Sequence, residues 1–148
     1  MMATQTPVDE TDVRQRLDQL VEGVRAMDLE RLKAVYAPDI VTFDVQGPLR
    51  RVGLEGKLHN WSEAFAMFQR PLEYDLRDLT ITVGGDVAFA HGLARLRGTL
   101  KNGNPAGGFW VRFTGCLRKV EGTWLIAHDH ASVPLDLESG RAALGLEP

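Results

Sequence analysis

The segment His128-Asp129-His130 places an imidazole on either side of a carboxylate. Residues two apart in a strand point to the same side, so His128 and His130 can share a face. That spacing suits a metal ion, but zinc needs three or four protein ligands, and the only other histidines are His59 and His91. The pattern therefore favours a pocket in which His130 forms hydrogen bonds, with His128 packed or partly exposed beside it.

Alternation along the predicted strands brings further polar and aromatic side chains to one face. We expect that face to line an internal cavity, because large and polar residues can converge there on a ligand. The opposite assignment stays open, and a bulge in the last strand would exchange its later members. The strand residues predicted to bind a ligand are Phe89, His91, Trp110, Arg112 and Ser132.

Two aromatic residues of the third predicted helix, Trp61 and Phe65, lie four apart and so share a helix face. Together with Phe89 and Trp110 they supply an apolar wall for a ring or an acyl chain. Aromatic residues at helical spacing are also typical of an ordinary core, so core packing is the alternative for each. Trp124, which follows a hairpin turn, is predicted to pack rather than to bind a ligand.

Several other chemistries lack their partners in this sequence. Cys116 is the single cysteine, so the chain forms no internal disulfide and no thiolate metal cluster, and the residue is interpreted as a small buried strand residue. Ser132 lacks the strand-turn-helix context of an acyl-transfer nucleophile. The glycine pairs at 84–85 and 107–108 are typical of a turn and a strand bend rather than of a phosphate loop. No metal and no cofactor are predicted.

Hydrophobic spacing predicts the elements that position these residues. A first helix follows a capping Asp9 or Thr11, a short second helix follows Asp28, and a third covers residues 54–68. The apolar stripe of the first helix consists of Val13, Leu17, Leu20, Val21 and Val24. A short strand is predicted at 40–45 and long strands at 74–83, 87–100, 107–120 and 123–133, with a final helical turn at 139–144.

Helices followed by long antiparallel strands indicate an α+β fold with the helices on one face of the sheet. Strands of this length twist, so the sheet must curve. The predicted architecture is a cone-shaped α+β barrel, in which about three N-terminal helices pack on the concave face of a curved, mostly antiparallel sheet. We expect one domain over residues 1–148, with a flexible lead at 1–9 and a C-terminal tail at 135–148.

Composition narrows the classes of protein. Of the 148 residues, 44% are hydrophobic and 25% are charged, a balance typical of a globular domain. The formal net charge of −3, with the lysines and arginines scattered, argues against binding to nucleic acid. The N-terminal residues lack the pattern of a signal peptide, and no apolar run approaches the length of a membrane span. We therefore expect a soluble, cytoplasmic protein.

The order of elements and two stretches of sequence resemble the nuclear-transport-factor-2-like superfamily, and most closely its SnoaL-like and ketosteroid-isomerase-like bacterial proteins. The first stretch runs from Ala26-Met27-Asp28-Leu29 to Asp39, and the second, more specific one from Trp124 to Pro134. The resemblance covers about residues 10–135. It implies a cone-shaped pocket and a homodimer formed through the outer face of the sheet. Because the family includes isomerases, cyclases, dehydratases and non-catalytic modules, fold alone does not select an activity.

Comparison with ketosteroid isomerases puts Asp44 at the position of their general base, so the resemblance implies a base at Asp44. Because histidine is the residue type that changes charge nearest neutral pH, His130 is expected to form an acid–base pair with it. Arg112 would then hold an oxygen atom of the ligand. Two alternatives remain, a solvated turn residue at Asp44 and a structural ion pair between Arg112 and Asp44. The isomerases' oxyanion donors are missing, since Leu20 replaces their tyrosine and residues 114–116 contain no acid. Steroid isomerisation is therefore disfavoured.

Two functions fit the sequence. The first is an isomerase- or lyase-like enzyme that transfers protons on a small apolar carbonyl compound, with Asp44 and His130 as the catalytic residues. The second is a non-catalytic ligand-binding or dimeric association module. Neither function involves nucleic acid or a membrane as a partner.

Overall fold

The computed structural model describes residues 7–148. Its helices are α1 (Pro7–Arg25), α2 (Leu29–Lys33) and α3 (Leu54–Met67). Its strands are β1 (Tyr36–Phe43), β2 (Arg51–Val52), β3 (Glu73–Gly84), β4 (Val87–Thr99), β5 (Pro105–Val120), β6 (Thr123–Ser132), β7 (Leu135–Asp136) and β8 (Arg141–Ala142). No helix within residues 7–148 is long and apolar enough to cross a membrane.

Six strands form one curved sheet in the order β2-β1-β6-β5-β4-β3. Every neighbouring pair is antiparallel except β1 and β6, which run parallel. The helices pack on one side of this sheet, with α1 against β3 and β6 and α3 against β1 and β2. The predicted cone-shaped α+β fold is confirmed.

The core lies between α1 and the side of the sheet that we call the inner face. Val13, Leu17, Leu20 and Val24 of α1 are each at most 1% exposed, as the spacing of the helix predicts. On the sheet side, the inner face carries alanines on β4 and larger residues on β5 and β6. Its buried members include Ala88, Ala90, Ala94, Phe113, Leu117, Trp124 and Ile126.

Asp28 caps α2, as predicted: its carboxylate accepts hydrogen bonds from the backbone N–H groups of Glu30 and Arg31. The following strand begins at Tyr36 rather than at residue 40, although it contains Pro38. The pairing of β1 with β6 is irregular between Tyr36 and Val41. Because Pro38 lies in this irregular stretch, its missing N–H leaves a regular ladder intact on either side.

A bulge interrupts β6 at Ala127. Leu117 on β5 pairs with Ile126, while the adjacent Cys116 pairs with His128, so Ala127 has no partner of its own on β5. The extra residue changes which side chains face inward along the second half of the strand. Trp124 and Ile126 are buried before the bulge, and Asp129 is buried after it.

Both ends of the chain differ from the prediction. Residues 7–9 belong to α1, and residues 1–6 of the predicted flexible lead lie outside the described residues. The helical turn predicted at 139–144 is wrong, because this segment forms the turn and second strand of the β7–β8 hairpin. Gly140 has a positive φ of 70°, a turn conformation that would end a helix rather than extend it. The single-domain boundaries stay a prediction.

Candidate functional site

A cavity of about 390 Å³ lies between the inner face of the sheet, β1 and α3. Its walls are mostly apolar and aromatic, with contributions from Leu20, Tyr36, Trp61, Tyr74, Phe109 and Phe113. The buried residues at its deep end include Tyr36, Lys57 and Asp129, whereas Val45, Gln46 and Met67 at its mouth are exposed. A pocket of this size and composition suits a small, largely apolar molecule.

One side of α3 supplies much of the polar lining. Lys57, Asn60, Trp61 and Ala64 recur at the spacing of one helix face, and all four border the cavity. Phe65 stacks against Trp61 with ring centroids 5.6 Å apart, but it lies behind that ring and does not line this cavity. Of the two predicted aromatic residues of this helix, Trp61 is therefore in contact with the cavity and Phe65 supports it.

A buried ion pair lies at the deep end of the cavity. The Lys57 ammonium, on a residue only 3% exposed, donates to Asp129 Oδ2 at 2.8 Å and to Thr42 Oγ1 at 3.2 Å. The Thr42 hydroxyl in turn donates to the other oxygen of Asp129. Both carboxylate oxygens thus have a donor, as a buried charge requires. Three elements, β1, α3 and β6, meet in this network.

Tyr36 and Trp61 form a second polar pair in the wall. Trp61 Nε1 donates to the Tyr36 hydroxyl oxygen at 2.8 Å, which leaves the Tyr36 O–H free to donate to another group. Burial, together with the negative charges of Asp129 and Asp44, holds the pKa of Tyr36 well above its ordinary value. Burial likewise raises the pKa of the neighbouring Tyr74. Both phenols are therefore hydrogen-bond donors at neutral pH.

Asp44 borders the same cavity near its mouth. One carboxylate oxygen accepts a hydrogen bond from the Asn60 side chain, and the other accepts one from the backbone N–H of Val45 at 2.8 Å. Within the part of the chain that the structure describes, the carboxylate is therefore oriented by neutral donors and forms no ion pair. The predicted alternative of an Arg112–Asp44 ion pair is wrong, because the Arg112 guanidinium bonds to Ser132 Oγ at 3.2 Å.

The prediction that the large and polar strand sets line the cavity is wrong, and the opposite sets line it. We call the other side of the sheet the outer face. It carries the predicted site residues Phe89, His91, Trp110, Arg112, His130 and Ser132, none of which borders the cavity. Two physical reasons apply. On β4, Ala88, Ala90 and Ala94 are buried in the core on the inner side, and the Ala127 bulge turns Asp129 inward and His130 outward.

The outer-face residues have partners of their own. His130 packs edge-on against Phe43, with ring centroids 5.5 Å apart. Trp110 lies under the guanidinium of Arg95 at 4.5 Å and donates to the Glu147 carboxylate at 3.2 Å. The predicted catalytic pair of Asp44 and His130 is therefore not brought together, because the two side chains lie on opposite faces of the sheet.

The remaining ionisable candidates on the outer face are packed side chains. A nitrogen of His128, Nδ1, lies 2.6 Å from the carbonyl oxygen of Val41, and its ring packs against Phe43. Burial, and then the charge of Asp129, raises the pKa of the Cys116 thiol, which disfavours the thiolate that a nucleophile needs. Within residues 7–148, no group of three or more His, Cys, Asp or Glu side chains is arranged to hold a metal ion.

Sequence reasoning missed Tyr36, Lys57, Asn60, Tyr74 and Asp129 as lining residues. One signal was present: Lys57 lies four residues before Trp61, so a lysine interrupts the apolar stripe of α3. A lysine in that position must be paired or must reach solvent. Asp129 carried no comparable signal, because only the bulge brings it inside.

Comparisons with known proteins support this fold. The SnoaL-like domain family matches residues 13–136. A nuclear-transport-factor-2-like protein of unknown function from Pseudomonas putida is 30% identical, with a TM-score of 0.87, and the match covers 98% of this chain and 100% of that chain. A search of curated proteins found no match.

Two more distant structures share the architecture. A nuclear transport factor 2-like superfamily protein from Salmonella enterica is 17% identical, with a TM-score of 0.81, over 94% of this chain and 100% of that one. A ketosteroid isomerase-like protein from Erwinia carotovora is 18% identical, with a TM-score of 0.72, over 86% and 97%. The match over residues 13–136 and the cone-shaped fold lead to one conclusion: the chain belongs to the SnoaL-like domain family of the nuclear-transport-factor-2-like superfamily.

Proposed function

We propose that the protein catalyses proton transfer on a small, neutral, apolar carbonyl compound, in an isomerisation, cyclisation or dehydration. Asp44 is the base, and Tyr36 replaces His130 as the hydrogen-bond donor to the carbonyl oxygen. One observation carries the proposal: the Asp44 carboxylate and the Tyr36 hydroxyl border the same apolar cavity, each oriented by a neutral donor.

In this mechanism Asp44 removes a proton from the carbon next to the carbonyl group, and the electron pair moves onto the carbonyl oxygen as an enolate. Tyr36 donates its O–H to that oxygen, and Trp61 N–H bonds to the hydroxyl from behind, which polarises it further. The proton on Asp44 then returns to another carbon in an isomerisation, or to a departing hydroxyl group in a dehydration. An apolar wall excludes water from the enolate.

The comparisons support the fold, and they identify neither a reaction nor a substrate. The Erwinia carotovora structure is ketosteroid isomerase-like, and at 18% identity its likeness shows the fold alone. The steroid reaction itself is not proposed, because Leu20 fills the position of the tyrosine donor on the first helix. The acid on the inner face opposite Gly115, Asp129, is already bound through its two oxygens by Lys57 and Thr42.

Exchange of α-protons tests the proposal without knowledge of the natural substrate. 2-Tetralone, a bicyclic ketone of suitable size, exchanges its acidic C–H protons for deuterium in heavy water, and proton NMR follows the rate. We expect Asp44→Asn to lower the protein-dependent rate by about a hundredfold or more, because it removes the general base. Tyr36→Phe should lower it by about tenfold or more through loss of one donor.

His130→Ala is the matched control, since its side chain lies on the outer face. Its exchange rate should equal that of the unmodified protein. An Asp44→Asn variant that is folded and exchanges at the unmodified rate would remove the proposal.

A second candidate function, a dimeric binding module, is favoured by the outer face. Phe89 is 47% exposed there, and Phe43 and Val87 are also exposed. We propose that a second copy of the chain covers this face and forms a homodimer, because exposed aromatic residues on a sheet face are typical of an interface. Light scattering should find a dimer for the unmodified protein and a monomer for Phe89→Glu. In the binding-module case, 2-tetralone raises the melting temperature but its protons do not exchange.

A further inference from the structure

The buried Lys57–Asp129–Thr42 network takes no part in the mechanism above, although it borders the cavity. An ammonium group has three N–H donors. Among residues 7–148, hydrogen bonds use two of those of Lys57, toward Asp129 and Thr42. The same nitrogen lies 5.3 Å from the ring centroid of Tyr36 and 5.6 Å from that of Trp61, so the ammonium group is beside the Tyr36–Trp61 pair.

We infer that Lys57 is a specificity-determining residue: its third N–H and the Tyr36 O–H together bind one oxygen atom of a neutral ligand, and the cavity rejects carboxylate ligands. The inference rests on the proposed function for the identity of that oxygen as a carbonyl oxygen. Asp129 and Thr42 act as positioning residues, because they fix the ammonium in place through the two remaining donors.

Charge in the cavity supports a neutral ligand. The positive charge of Lys57 is cancelled by Asp129 at 2.8 Å, so the pair attracts no further anion strongly. Glu63 at the mouth lies within 3.8 Å of the Arg51 guanidinium and within 2.6 Å of His59. The hydrogen-bond donors to Asp44 within residues 7–148, in contrast, are neutral. An ionised Asp44 therefore repels a carboxylate inside a cavity with mostly apolar walls.

The arrangement of polar and apolar groups sets the orientation of the ligand. The donors Lys57 and Tyr36 are both buried at the deep end, and Asp44 lies nearer the mouth. Between and around them the walls are aromatic and aliphatic. The ligand class is thus a neutral molecule with an apolar body and one carbonyl oxygen, which enters oxygen first.

Three probes of similar size separate the contributions: 2-tetralone has the ketone, tetralin is the hydrocarbon without it, and 2-naphthoate has a carboxylate. Calorimetric titration should give about tenfold or more tighter binding of 2-tetralone than of tetralin to the unmodified protein. The double variant Lys57→Met, Asp129→Asn removes both charges of the buried pair. In it, the logarithm of the affinity ratio of 2-tetralone to tetralin should fall by about half, because the Tyr36 donor remains. Arg112→Met on the outer face should keep the full preference.

2-Naphthoate should bind about tenfold or more weakly than 2-tetralone, and it should gain affinity in Asp44→Asn, where the repelling charge is absent. The ketone preference is also measured in Asp44→Asn, which cannot transfer the proton. A preference that persists there and depends on Lys57 supports the inference even if no α-proton exchange is found, so the two proposals fail separately.

A measurement on the unmodified protein guards against a double variant that does not fold. The carbonyl carbon of ¹³C-labelled 2-tetralone moves downfield when its oxygen accepts hydrogen bonds, and we expect a bound shift downfield of that in cyclohexane. A bound shift equal to the cyclohexane value would overturn the inference. So would a folded Lys57→Met, Asp129→Asn variant with an undiminished ketone preference, or tight binding of 2-naphthoate to the unmodified protein.

Discussion

The inner and outer faces of the sheet differ in side-chain type, and the cavity lies on the face that has fewer ionisable side chains. The inner face is poor in ionisable groups, with alanines on β4 and Phe113 and Leu117 on β5. The outer face has His91, His128 and His130, together with Arg112 and the exposed Phe89. Yet the cavity, with its buried ion pair and its oriented carboxylate, is on the inner side. A small number of polar groups in an apolar wall therefore makes the candidate site.

Burial explains why few groups suffice. On the outer face, water screens each charge and competes for each hydrogen bond. On the inner side, Lys57 and Asp129 are nearly removed from water, so each needs a partner within the protein and each orients its neighbours. The behaviour of a polar group here depends on how it is held, and α3 holds these groups as much as the sheet does.

Removal of one member of the ion pair should give the largest effect on stability. Asp129→Ala leaves the Lys57 ammonium buried without a countercharge, and the free energy of unfolding should fall by about 3–5 kcal/mol. Lys57→Met combined with Asp129→Leu removes both charges and should recover most of the loss. Urea unfolding at neutral pH measures both, with Arg112→Met on the outer face as the control. Equal losses in the single and double variants would show that packing, not charge, sets the effect.

A matched pair of phenylalanines tests the two faces directly. Phe113 on the inner face is 5% exposed and Phe89 on the outer face is 47% exposed. Phe113→Ala should lower the free energy of unfolding by about 3–5 kcal/mol through loss of buried apolar contacts. Phe89→Ala should lower it by less than about 1 kcal/mol when measured in dilute solution.

Repeating both phenylalanine measurements at several protein concentrations tests whether a second copy covers the outer face. If a second copy covers the outer face, the cost of Phe89→Ala grows as the protein concentration rises, since association adds to stability. The cost of Phe113→Ala should stay constant. A constant cost for both would count against the homodimer.

Alkaline pH probes the inner face through its phenols. Tyr36 and Tyr74 are the chain's two tyrosines, and burial raises the pKa of both in the folded state. Their contribution to stability is full below the unfolded value of about 10 and is lost as the pH rises from there toward the folded pKa. The tyrosinate absorption band should therefore appear together with the loss of circular dichroism. A band that appears near pH 10 in a folded protein would contradict the burial of these phenols.

The smallest effects are expected on the outer face. His130→Ala and Ser132→Ala should each change the free energy of unfolding by no more than about 0.5 kcal/mol, as for other surface side chains. Thermal unfolding in dilute solution measures this. A loss of several kcal/mol from either variant would mean that the outer face is part of the core, and the division into two faces would have to be redrawn.

The sequence was sufficient for the architecture. The stripe of α1, the Asp28 cap and the order of the long strands depend on local spacing and turn chemistry, and each is found where the pattern predicts it. Local sequence also predicts the two residues that were correctly placed at the cavity. Asp44 directly follows the first strand, and Trp61 lies on the apolar side of α3.

The facing of the sheet was not predictable from local pattern. Alternation divides each strand into two sets but does not say which set the helices cover. On β4 the choice is set by the assembled core, in which Ala90 is fully buried. The Lys57–Asp129 pair joins α3 to β6 across 72 positions of sequence and depends on the bulge as well. Tyr36 was not predicted to line the cavity, because Pro38 makes residues 36–39 resemble the end of a helix, whereas they begin β1.

Because Ala127 has no partner on β5, the inward-facing residues of β6 are even-numbered before it and odd-numbered after it. Trp124 and Asp129 are an odd number of positions apart, so a regular strand would put them on opposite sides of the sheet. With one residue left out of the pairing, both point to the interior. The half of the strand before the bulge builds the core and the half after it builds the cavity. Each half can change its residues without altering the orientation of the other, so new chemistry can arise in this pocket while the packing under α1 stays the same.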